Sequence, residues 1–119
     1  MNITILCVGQ IKEKYFRDAI AEYQKRLSRY CKLQMIEVAD EKTKENASEA
    51  ENDLIRKKEG ERLLKHIKDS DYCITLEIDG RMLTSEGLSK EIDRLGLAGK
   101  SSLVFVIGGS IGLDTAVLK

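Results

Sequence analysis

Leu103-Val104-Phe105-Val106-Ile107-Gly108-Gly109-Ser110-Ile111-Gly112 decides how the rest of the chain is read. Five apolar residues in a row, rich in β-branched side chains, describe a strand too short for a helix and covered on both faces. The glycines that follow end the strand and let a ligand approach the backbone closely. A buried strand running into a glycine turn marks the carboxyl edge of a parallel sheet, where ligands of open α/β folds collect. Working outward, three more strands appear at 2–8, 32–38 and 72–78, and the last at 102–107.

Helical patterns separate them. Phe16, Ile20, Tyr23, Leu27 and Tyr30 recur at spacings of four and three, giving a helix over about Lys14–Arg29. From Glu49, the apolar positions Leu54, Ile55, Leu63, Leu64 and Ile67 give a second helix. Eight acidic and eight basic side chains within 41–69 make it a solvated one, after a loop reaching about Ser48. Thr84 caps a third helix, with Glu86 in its first turn and Leu88, Ile92 and Leu95 facing inward, and Gly96 and Gly99 stop it. Asp114 reads as the N-cap of a fourth helix that is only begun at Lys119. The order β-α-β-α-β-α-β gives an α/β fold, a mainly parallel sheet with helices on both faces joined by right-handed crossovers. Residues 1–119 form one domain, expected to be incomplete at the C-terminus.

Composition narrows the function. Apolar residues are 42% and charged residues 34%, enough for a core; twenty Lys+Arg balance twenty Asp+Glu, which excludes a uniformly basic coat for nucleic acid. No run is long enough for a membrane span and no leader precedes the first strand, so the cytoplasm is the expected compartment. Cys7, Cys31 and Cys73 are odd in number, widely spaced and without a CxxC partner, and read as reduced thiols, with Cys7 and Cys73 buried in strands. One histidine, His66, with scattered cysteines makes no metal site.

The glycine turn is GGxxG, which fits neither the dinucleotide fingerprint nor a P-loop, and on spacing alone it equally suits a plain turn into a helix. Ser110 has no histidine base, and Asp79 and Arg81 around Gly80 form a turn. Charge position is more informative than charge total. The first 32 residues carry Lys12, Lys14, Arg17, Lys25, Arg26, Arg29 and Lys32 against Glu13, Asp18 and Glu22, and several of these cations lie off the apolar stripe of the first helix. A local basic face of this kind suits a phosphate backbone and equally suits ordinary surface.

Taken together, several segments match one family. They are Asn2–Gly9 with Gln10-Ile11-Lys12-Glu13-Lys14-Tyr15, Glu22-Tyr23, Arg26-Leu27, Glu37-Val38-Ala39-Asp40-Glu41-Lys42, Leu76-Glu77-Ile78-Asp79-Gly80-Arg81 and Phe105–Leu113. In this combination the chain resembles the ribosomal large-subunit methyltransferase H family of the SPOUT superfamily, from end to end. The resemblance implies methyl transfer from S-adenosyl-L-methionine to N3 of a pseudouridine in 23S ribosomal RNA on the assembled ribosome, by a homodimer with a knotted fold and no metal. Matched position by position, it implies cofactor contacts at Leu76 and Gly108, with Gly109 and Ser110 as neighbours. It assigns no general base within 1–119. It also implies that the knot-forming C-terminal segment is missing and that this length of chain is inactive. A non-catalytic α/β module, for nucleotide sensing or protein interaction, is the alternative.

Overall fold

A computed structural model describes residues 1–41, 48–77, 80–109, 113 and 117. The elements are β1 (Asn2–Val8), α1 (Lys14–Leu27), β2 (Lys32–Val38), α2 (Glu49–Leu64), β3 (Tyr72–Leu76), α3 (Ser85–Leu97) and β4 (Ser102–Ile107). All four strands pair in parallel, in the order β2-β1-β4-β3. Chain order is broken, and β1 and β4 are central. The third strand is shorter than expected, ending at Leu76, and Ile78 and Asp79 lie outside the described residues. So do Ser110, Ile111, Gly112 and the expected cap Asp114.

The connections follow from handedness. A right-handed crossover from β1 outward to β2 puts α1 on one face; the long return from β2 to β3 runs the opposite way and puts α2 on the other. The short step from β3 to β4 restores the first direction, so α3 shares a face with α1. Side chains agree. Leu6, Val38, Val104 and Val106 on one face form a single core with Leu63 of α2 and with Val117, flanked by Val8, Ile36, Ile67 and Leu113. Leu103, on the opposite face, is fully buried, as is Leu95 of α3.

Local signals set the ends. Ser48 Oγ accepts from Glu51 N–H at 3.2 Å, and Thr84 Oγ1 accepts from Gly87 N–H at 3.0 Å, each satisfying an orphan donor of a first turn. The third helix runs through Gly96 and stops at Gly99, whose φ of 87° only glycine adopts freely; Lys100 N–H then donates to Leu95 C=O at 2.9 Å.

Three expectations need correction. The stripe of α1 is largely uncovered: Phe16 is 52% exposed, Tyr23 62% and Tyr30 79%. Leu54 and Leu64 of α2 also point outward, and the inward stripe is Asn52, Ile55, Arg56, Glu59, Gly60, Leu63 and Ile67, a mixture of polar and apolar side chains. Cys73 is exposed rather than buried, because β3 is an edge strand beyond the cover of α2; Cys7, in a central strand, is buried.

Candidate active site at the carboxyl edge of the sheet

The pairing register aligns one row of side chains across the end of the sheet. Glu37 of β2 sits beside Cys7 of β1, Cys7 beside Ile107 of β4, and Ile107 beside Leu76 of β3. All four point to the face carrying α1 and α3, because side chains on paired positions share a face. Leu76 is 50% exposed and Ile107 41%, an unusual degree of exposure for apolar residues at the centre of an edge. Gly108 follows Ile107 directly. The two positions singled out in the sequence, Leu76 and Gly108, therefore meet at one edge, from strands that are neighbours in the sheet and far apart in the chain.

On the β1–β2 side this edge opens into a cleft of about 760 Å³ between α1 and the sheet. Its floor is Ile5, Cys7, Leu33 and Met35; Ile20, Tyr23 and Leu27 of α1 form its roof; Ile107 closes it towards Leu76. Its mouth is made by the segments leaving β1 and β2, Gly9–Lys12 and Val38–Asp40. The volume and the mainly apolar lining are those of a small-molecule site. Gly9 has φ of 92° and its N–H donates to Val38 C=O at 2.8 Å, so the two exits are tied together as the strands end. Cys7 Sγ donates to Ile36 C=O at 3.7 Å, and burial, reinforced by Glu37, pushes its thiol pKa up. It stays a thiol, unsuited to nucleophilic work.

Behind the edge, on the α2 face, lies a group that reading by charge run did not reveal. Glu59 is 4% exposed. Its Oε2 accepts from Glu41 N–H at 3.0 Å, while Oε1 has no partner among the described residues. Arg62, one turn on, donates to Ala39 C=O at 2.9 Å and pairs with the Glu41 carboxylate. Burial pushes the Glu59 pKa up, as do Asp40 and Glu41, against the Glu41 N–H bond and Arg62, which lower it. The signal was present: Ile55, Glu59, Leu63 and Ile67 repeat every four residues, and a carboxyl in an apolar stripe at that spacing faces the core.

The space around Gly109 is filled from this side. A Cβ there would stand 2.9 Å from Glu59 Oε1 and 3.3 Å from both Glu59 Oε2 and Val8 Cγ1. The reading that glycine here makes room for a ligand is therefore corrected for Gly109: what approaches its backbone is a carboxyl of the same chain.

Among the described residues no group of three or more His, Cys, Asp or Glu is placed to hold a metal, and no helix is long and apolar enough to cross a membrane. Lys25 in the last turn of α1 and Arg29, two residues past its end, are exposed, and Arg26 pairs with Glu22 at 3.1 Å.

Residues 1–119 match the family described as "Predicted SPOUT methyltransferase". Among curated proteins, the chain is 55% identical to the ribosomal RNA large subunit methyltransferase H of Clostridium kluyveri. It is 58% identical to the proteins of that name from Bifidobacterium adolescentis and Clostridium botulinum. Each alignment takes in 100% of this chain and 75% of the relative. The chain thus belongs to the SPOUT methyltransferases and, within them, to the ribosomal large-subunit methyltransferase H family.

Proposed function

We propose that this protein methylates large-subunit ribosomal RNA, using S-adenosyl-L-methionine to place a methyl group on N3 of a pseudouridine within the assembled ribosome. The observation that carries this reading is the 55–58% identity, over all 119 residues, to proteins named as ribosomal RNA large subunit methyltransferase H. Its work would then lie in the cytoplasm.

The carboxyl edge fits the cofactor. An adenosine group needs an apolar wall and backbone polar groups it can approach closely, and the edge offers Leu76 and Ile107 beside the backbone of Gly108. When bound, S-adenosyl-L-methionine supplies an electrophilic sulfonium methyl. The chain's own contribution is then alignment and exclusion of water. Leu76 and Ile107 hold the apolar part of the ligand, and the Gly108 backbone lets it lie against the end of β4. A ligand held there would present its methyl to a nucleotide entering from the open side, and such holding would replace a bimolecular encounter by a positioned one. The bound group would supply the methyl carbon to N3 and leave as S-adenosyl-L-homocysteine, with the N3 proton passing to solvent. The uncovered apolar stripe of α1 and the exposed ends of the row support a homodimer, since surfaces of this kind are commonly buried against a partner.

The test is methylation of ribosomes that lack the modification by the protein carried to the full length of its relatives, of which this chain spans 75%, with labelled S-adenosyl-L-methionine, followed by nucleoside analysis. Label on N3-methylpseudouridine in 23S RNA of assembled ribosomes is the expected result. Label on another nucleoside, or on free RNA in preference to ribosomes, overturns the finer reading.

A further inference from the structure

Glu59 costs the fold something. Its stripe on α2 is otherwise the one that packs Leu63 and Ile67 against the sheet, and an apolar residue at this position would fill the space without a desolvated carboxyl. One of its oxygens is left without a hydrogen bond among the described residues, a further cost that an apolar side chain would avoid. Its reach explains its presence. From a single side chain, Oε2 holds the backbone of Glu41, three residues past the end of β2, while Oε1 stands against the backbone of Gly109, two residues past the end of β4. β2 and β4 are not neighbours; β1 lies between them, and Val8 at its end also abuts Gly109. The continuous strand pairing ends at Val38 and Ile107, and beyond it the backbone ties are single ones, the Gly9 N–H to Val38 C=O bond and an isolated bridge at Gly109, so a side chain that spans both segments adds to a sparse set of restraints.

We propose that Glu59 is a positioning residue: its buried carboxyl braces the segment after β2 against the glycine turn after β4, and so sets where the Gly108 backbone stands in the cofactor site. This rests on the assignment of Gly108 to that site. Arg62 acts from the same helix on the same segment, through Ala39 and Glu41, so the exit of β2 is gripped at both its backbone and its side chain. Gly109 is glycine because Glu59 occupies the place of a Cβ; the two residues are a matched pair.

The experiment is a cycle of Gly109→Ala, Glu59→Ala and the double variant, with Glu59→Gln beside it. Each is read by urea unfolding of the ligand-free protein and by calorimetric titration with S-adenosyl-L-methionine. Gly109→Ala should lower both the unfolding midpoint and the affinity, the latter by about tenfold, because the added methyl displaces the turn from the carboxyl. In the Glu59→Ala background the tightest contact of that methyl is gone and Val8 Cγ1, at 3.3 Å, remains, so the double variant should be better than the sum of the two single losses. Glu59→Gln keeps the shape and the bond to Glu41 and should bind within about twofold of the unaltered protein. If Glu59→Ala does not fold, Glu59→Asp takes its place in the cycle, with the same expected sign, because it draws the carboxyl back by one methylene. Strictly additive unfolding losses overturn the brace. Non-additive unfolding with unchanged affinity in every variant overturns its role in the site. If the unaltered protein does not bind S-adenosyl-L-methionine, the cofactor reading falls, and the positioning role falls with it, while the unfolding cycle still decides whether the pair is matched.

Discussion

The two faces of the sheet are built to different ends. Under α2, Leu6, Leu63 and Val106 are fully buried and Val104 nearly so, and the helix lies directly on the strands. Under α1, the helix stands off, no residue of it is fully buried, and a cleft of about 760 Å³ separates it from Ile5, Cys7 and Met35. The same central strands, β1 and β4, serve both. The α2 face is closed over its core, whereas on the other face Leu103 and Leu95 are buried near α3 while the side chains under and on α1 stay partly uncovered. The only fully buried charged residue among those described, Glu59, is on the closed face, where it reaches over the end of the sheet to the segments that border the open one.

If this division is right, matched substitutions on the two faces should differ most in stability. Leu63→Ala removes a fully buried side chain from the closed core and should cost about 2–5 kcal/mol in urea unfolding. Phe16→Ala removes a larger side chain that is half exposed on α1 and should cost less than about 1 kcal/mol. Equal losses would show that in solution something covers α1, and a dependence of the Phe16→Ala loss on protein concentration would identify that cover as a second copy of the chain.

The carboxyl edge should show the reverse pattern, with little effect on stability and a large one on the ligand. Leu76→Asp places a carboxylate where the side chain is already 50% exposed, so the ligand-free protein should unfold within about 0.5 kcal/mol of the original. Affinity for S-adenosyl-L-methionine should fall by about 2 kcal/mol or more, roughly thirtyfold, because binding must strip water from the new charge. Gly108→Val should lower affinity likewise by occupying the ligand's space. Unchanged calorimetric affinity in both variants would move the site away from β3 and β4.

A smaller effect separates the faces by pH. Burial raises the Glu59 pKa above its value in the unfolded chain, Asp40 and Glu41 adding to this and Arg62 and the Glu41 N–H opposing it. A raised acid favours the folded state while protonated. Its contribution is therefore complete below the ordinary glutamate range and is lost as pH rises through the raised value. The original protein should lose stability relative to Glu59→Gln over that interval, and the difference should level off above it. Parallel stability curves at all pH values would mean that Glu59 is solvated.

How much of this division was legible in the sequence depends on what each residue touches. The strands were, because Ile3–Val8 and Leu103–Ile107 are apolar on both faces and no other local structure suits them. Thr84 marked a helix start through a hydrogen bond made within one turn, while Ser48, read only as the end of a loop, turned out to cap α2 in the same way. The strand order was not legible, since it depends on which edges meet across the whole chain. Nor was the fate of the α1 stripe: periodicity shows that Phe16, Tyr23 and Leu27 share a side, and only the standing of the helix off the sheet decides that they remain uncovered. Glu59 was hidden by its neighbours, since one charged residue of the sixteen between 41 and 69 reads as solvated until its spacing from Ile55 and Leu63 is considered. Leu76 and Gly108 were singled out by family resemblance alone; the register of β3 on β4, which brings them to one edge of the sheet, depends on strand pairing that no local pattern reveals.

The smallest expected effect concerns the outer side of α1, on the open face. Lys25 and Arg29 are exposed and, among the described residues, neither is in an ion pair, whereas Arg26 shares its charge with Glu22. They stand at the end of the helix that roofs the cleft, beside Tyr30, on a part of the chain with more cations than anions. Exposed charges of this kind contribute little to folding, so replacing both with Glu should leave urea unfolding and S-adenosyl-L-methionine affinity unchanged. If they meet phosphates, each phosphate no longer neutralised keeps its counterions, and fewer ions are released on binding. The plot of log affinity for ribosomes against log salt should become shallower by roughly one unit for each. Methylation at low salt should fall for the same reason, and the deficit should shrink as salt rises, because screening weakens the original protein more than the variant. The sign of that convergence separates the two possible roles. A deficit that stays constant with salt would mean that the substitutions disturb α1 itself, and that its outer side belongs with the closed half of the molecule. No deficit at any salt would leave Lys25 and Arg29 as solvated surface, with the ribosome meeting the protein elsewhere.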